Sequence, residues 1–128
     1  MRTFGLSEFL FIVQAAQWTL ALSAIAFVGG ALLGLVVALS RTSENAVARN
    51  ASRVFIQVFQ GTPLLLQLFL IFFGAPVLGL DINPWVAAGV ALVLNSAAFL
   101  AEIWRGCIEA VPRGQWEAAQ ALNLSYIN

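Results

Sequence analysis

Charge enters the second half of the chain abruptly at Glu102 and recurs at Arg105, Glu109, Arg113 and Glu117, within the stretch Asn95 to Asn123. Steps of three and four put Glu102, Arg105 and Glu109 on one helical face, where opposite charges pair. Exposed pairs of this kind contribute only about 0.2–1 kcal/mol. The chemistry offered is therefore charge pairing at a water-facing surface, with little for catalysis. The chain has no histidine and one cysteine, which leaves no plausible zinc or haem set and no disulfide framework. Without a base to activate it, Cys107 reads as a small packing residue.

A second group of polar residues lies where polar atoms are costly. Gln67, Asn95 and Ser96 sit in apolar runs. They must either bond neighbouring helices or line a polar pathway, and the sequence leaves both open.

Composition says what must position these residues. Of 128 residues, 61% are hydrophobic and 9% charged, with zero net charge. Soluble domains carry about 25% charged residues, so a membrane protein is the default. A basic surface of the size nucleic acid requires is absent. Residues 9–40, 54–80 and 82–101 carry no charge, and each window can hold a span of roughly 20 residues. The expected organisation is all-α: an interfacial lead-in over 1–17, spans near 18–39, 56–78 and 84–103, and a polar C-terminal segment over 104–128. The apolar region is too long for a secretory signal and reads as a retained span, with Trp18 as an interfacial anchor.

Within the first window Gly30 and Gly34 form a G-x-x-x-G step, extended by Ala26 and Ala38. A packing seam against another helix follows, unless the glycines are merely the background frequency of membrane helices. Residues 41–53 read as a polar loop. Phe59-Gln60-Gly61-Thr62-Pro63 predicts a break: a short helix over 54–60, a bend permitted at Gly61, a cap at Thr62, and Pro63 at the first turn of a spanning helix to about Gly74. A continuous helix kinked at Pro63 is the alternative. Asn83-Pro84-Trp85 predicts a capped helix start at an interface.

Val111-Pro112-Arg113-Gly114 predicts a turn, and Gln115–Leu122 a short amphipathic helix with Trp116, Ala119 and Leu122 on one side. Asn123 suits the left-handed position that ends it. Such an element would dock a partner or lie on the bilayer surface. Arg41, Arg49, Arg53, Arg105 and Arg113 share one side if the N-terminus is outside, against Arg2 alone in the opposite orientation; cytoplasmic loops collect arginine, so the N-out orientation is expected.

These residues resemble the membrane-spanning permease subunit of ATP-binding-cassette importers, in the polar amino acid group. Glu117-Ala118-Ala119 after Pro112-Arg113-Gly114-Gln115 is similar to the family's cytoplasmic EAA loop. Phe59 to Gln67 and Ser96 to Gly106 are similar to its other characteristic segments. The resemblance covers nearly the whole chain. It implies part of a larger type I importer permease fold in the bacterial inner membrane, corresponding to the N-terminal part of such a subunit, with the loop's usual glycine replaced by Asn123.

The partners it implies are a cytoplasmic ATPase subunit that binds the ATP, a second permease subunit (identical or not), a periplasmic amino-acid-binding protein and the lipid bilayer. No cofactor belongs to this chain, nucleic acid is no partner, and no residue is expected to be catalytic. ATPase coupling falls to Pro112, Gly114, Trp116, Glu117, Ala118, Ala119, Leu122 and Asn123. Pathway or helix-packing roles fall to Gly61, Thr62, Pro63, Gln67, Asn95, Ser96 and Glu102. The alternative is a membrane scaffold or regulatory fragment that binds such partners without moving solute.

Overall fold

A computed structural model describes residues 5–123 and places five helices there: α1 (Leu6–Thr42), α2 (Ala46–Gly61), α3 (Leu64–Val77), α4 (Pro84–Glu109) and α5 (Arg113–Ala121). Among the described residues there is no strand.

Helix α1 is continuous over 37 residues, about 55 Å at 1.5 Å per residue, so the expected lead-in is its first turns. With no proline or charge between Glu8 and Arg41, nothing in the sequence stops it. It ends where Thr42 donates its hydroxyl to the Ala38 and Leu39 carbonyls.

The expected polar loop over 41–53 shrinks to Ser43–Asn45. The Asn45 side chain accepts from the Val47 and Ala48 amides at 2.9 and 3.3 Å, which starts α2 eight residues earlier than the expected helix over 54–60. Polar residues there mark the wet face of an amphipathic helix, and Ser52 and Ile56, four apart, are its buried face.

The break holds. Helices α2 and α3 meet at an angle of 106°, which excludes a merely kinked helix. Thr62, however, does not cap α3: its hydroxyl donates back to Val58 O at 2.8 Å. Pro63 is itself the cap residue, just outside α3 rather than in its first turn. Asn83 behaves as expected, its side chain accepting from Trp85 N at 2.9 Å with Pro84 opening α4.

The packing seam is real and lies between α1 and α4. The buried residues of α1 are Ala26, Gly30, Gly34 and Ala38, and α4 answers with Ala87, Gly89, Ala91, Ala97, Ala98 and Ala101. A Cβ on Gly30 would lie 2.6 Å from Ser96 Cβ, one on Gly29 2.7 Å from Val93 Cγ2, and one on Gly34 2.9 Å from Ala97 O. Backbones in lipid approach this closely only over small residues.

The same contacts fix direction. Trp18 packs against Trp85 with ring centroids 4.9 Å apart and the rings tilted by 39°. Gly29 meets Val93, Gly30 meets Ser96, and Gly34 meets Ala97 and Ala101. Positions rise together along both helices, so α1 and α4 are parallel. Both are long and apolar enough to cross a membrane. Two parallel crossings require a return crossing between them, and only the bent α2–α3 pair can provide it. Three crossings follow. Arg41, Glu102 and α5 then share one end of the bundle, while Trp18, Asp81 and Trp85 share the other.

Candidate functional site

Two polar clusters stand on this frame. The first fills the α2–α3 elbow. The break leaves carbonyls at the end of α2 without helical donors, because Pro63 has no N–H. Gln67, one turn into α3 and 4% exposed, supplies them. Its Nε2 donates to Phe59 O at 2.8 Å, and to Thr62 O and Thr62 Oγ1 at 2.9 Å. Asn95 on α4 approaches the same group, with its Nδ2 3.4 Å from Gln67 Oε1 and 3.5 Å from Phe59 O. Gln60, which sequence reasoning passed over, ties α2 to α4 by donating to Ala98 O at 3.3 Å. The signal that singled out Gln67, an amide in an apolar run, applied equally to Gln60.

Helix packing and the lining of an open cavity both occur here. Gln67 is packed inside the elbow. Asn95 and Ser96 are half-buried and, with Ser23, line an open cavity of about 380 Å³ between α1 and α4. Gly61 ends α2, and nothing lies within 4 Å of the place its Cβ would take.

The second cluster lies at the Arg41 end. Arg105 donates from Nε to Glu102 Oε1 at 2.9 Å and from Nη1 to Glu109, so both expected pairs form, within the last turns of α4. A short turn, Ala110–Pro112, leads into α5. Arg113 and Gly114, expected in the turn, are instead the first residues of the helix, with Pro112 as its cap residue.

Helix α5 has no buried residue. The expected alignment of Trp116, Ala119 and Leu122 divides: Trp116 is 41% exposed and lines a crevice against α1 and α2, Ala119 is half-buried, and Leu122 is 73% exposed. Gly114, Glu117, Ala118 and Leu122 form the outward face at helical spacing. Asn123 has φ +56°, the left-handed conformation expected of it.

The family described as "Binding-protein-dependent transport system inner membrane component" matches residues 30–128, which takes in the elbow, α4 and α5. The chain belongs to this family. Relatives agree. The "Probable amino-acid ABC transporter permease protein YckA" of Bacillus subtilis is 37% identical over 95% of this chain and 54% of its own length. The "Glutamine transport system permease protein GlnP" of Escherichia coli is 37% identical over 89% of this chain and 53% of its own. The chain thus spans about half the length of the curated relatives it matches. A solved structure, "Crystal structure of an amino acid ABC transporter with histidines", superposes with a TM-score of 0.79 at 36% identity, over 98% of this chain and 61% of that one. The all-α permease fold expected of the family member is the fold observed.

Proposed function

We propose that the chain forms part of the permease subunit of an ATP-driven importer for polar amino acids in the bacterial inner membrane. Its N-terminus is outside and α5 is in the cytoplasm. The observation that carries this reading is the α4–α5 junction. A spanning helix carrying the Glu102–Arg105–Glu109 pairs passes through a short turn into a helix whose outward face is exposed. A cytoplasmic ATPase subunit, which holds the ATP, docks on that face through Gly114, Glu117, Ala118 and Leu122. Pro112 and Asn123 fix the ends of the helix, while Trp116 and Ala119 seat it on its own bundle. ATPase closure pushes α5, α4 transmits the push rigidly, and the elbow at Gly61-Thr62-Pro63 lets α3 move against α4. Asn95 and Ser96 line the solute route. A second permease subunit and a periplasmic amino-acid-binding protein complete the importer.

Co-purification of the permease with its ATPase subunit tests the docking face. Glu117→Arg reverses a charge at its centre and should lower recovery of the ATPase about tenfold, as truncating an interface hot spot does. Arg113→Gln, on the crevice side, should change it less than about twofold. Equal recovery with Glu117→Arg and the unaltered chain would place the docking face elsewhere.

A further inference from the structure

The arginine-bearing end of the bundle contains a crevice of about 510 Å³. It lies between the end of α1, the Ser43–Asn45 link, the start of α2 and the α4–α5 turn. Arg41, Arg49 and Arg113 line it. Two carboxylates share the lining, Glu44 and Glu109, and Glu109 is already engaged by Arg105. Among the described residues no carboxylate forms an ion pair with any of the three lining arginines. Arg49 is held at the rim by backbone, its Nη1 donating to Ser43 O at 3.1 Å and Glu44 O at 3.3 Å. This fixes the guanidinium without neutralising it. The lining therefore carries three cations and two carboxylates, an excess of one positive charge, although Arg41 also lies close to Glu102.

Depth identifies what would meet this charge. The charge-free stretch of α1 ends at Ser40, so Arg41 marks the level at which the bilayer gives way to headgroups. Trp116 stands on the crevice wall, and amphipathic rings favour that level. Guanidiniums match phosphate oxygens with paired donors, and basic pockets between spanning helices take anionic headgroups. We propose that this crevice binds a phosphate group at the bilayer surface, that of an anionic phospholipid such as phosphatidylglycerol. The headgroup then bridges the α1–α2 link to α5 and steadies the seat of the helix. The site rests on the three-crossing topology.

Native mass spectrometry of the purified chain in detergent tests it, with phosphatidylglycerol, zwitterionic phosphatidylcholine and inorganic phosphate offered separately. One phosphatidylglycerol should be retained in preference to phosphatidylcholine. Arg41→Gln and Arg113→Gln should each lower its retention about tenfold, the scale of a lost hydrogen bond between charged groups. Arg113→Lys should keep most of it. Arg53→Gln removes the same charge from an exposed site outside the crevice and should change retention less than about twofold. Only variants with unchanged far-UV circular dichroism are compared. A phosphate adduct lost in the same two variants, with no lipid preference, would keep the site and assign it to free phosphate. Equal retention of both lipids with no phosphate adduct would overturn the proposal. So would equal losses in Arg53→Gln and Arg113→Gln, the mark of diffuse surface charge.

Discussion

Gly34→Leu should break the α1–α4 pair. The side chain has no room to enter, since even its first carbon would lie 2.9 Å from the Ala97 carbonyl oxygen and 3.3 Å from Ala101 N. These are backbone atoms of a hydrogen-bonded helix, so they cannot turn aside as a flexible side chain would. Relief requires the two helices to separate along a seam made almost wholly of glycine and alanine, which has no large side chains to fill the gap. Overpacking in well-packed cores costs typically about 1–3 kcal/mol, and a rigid backbone obstacle argues for the upper end. Gly74→Leu is the matched control, because nothing lies within 4 Å of its Cβ position and leucine is the better helix former. Unfolding in mixed detergent, followed by circular dichroism, should show a large loss for Gly34→Leu and none for Gly74→Leu. Similar behaviour of the two would mean that the seam does not hold the bundle together.

Gln67→Leu keeps the volume and deletes the amide. The Phe59 and Thr62 carbonyls then lose their donor inside the elbow, and Pro63 has no N–H to offer instead. An unsatisfied buried acceptor costs about 1–3 kcal/mol, though pairs measured in membranes average nearer 0.6 kcal/mol because alternative partners are found. The elbow offers few alternatives, since Asn95 stands farther off at 3.5 Å. A loss of about 2 kcal/mol is therefore expected. The angle should change as well, because the amide is what clamps the end of α2 to the start of α3. Spin labels at Val54 and Phe73, both exposed, should show a broadened or shifted distance distribution. A distance unchanged in width and mean would show that the 106° bend is set without Gln67.

What the sequence made legible was local chemistry. Asn83-Pro84-Trp85 places a helix start because cap, proline and aromatic each act within one turn. Asn123 could be assigned its backbone conformation because few residue types adopt it. The glycine spacing announced a close approach, and the charge-free windows announced the crossings. The features it hid depend on partners distant in the chain. Residues 41–53 looked like a loop because polar content marks a wet helix face as readily as a turn. Thr62 looked like a cap for the helix ahead, yet its hydroxyl bonds to the helix behind, a choice settled by where the elbow bends. Trp116 and Leu122 parted company because α5 leans on the α1–α2 link, 70 residues away in sequence. The parallel direction of α1 and α4 can be read only from which residues touch.

Cys107 allows the topology to be tested without adding a reactive residue. It is the only cysteine in the chain, it is exposed, and it lies beyond Glu102 at the α5 end of α4. A membrane-impermeant maleimide applied to sealed right-side-out and inside-out vesicles should label it only from the cytoplasmic face. In a Cys107→Ala background, Asp81→Cys should label only from the opposite face. Labelling of Cys107 from outside would put α5 beyond the reach of a cytoplasmic ATPase, and labelling of both positions from one face would contradict the three crossings.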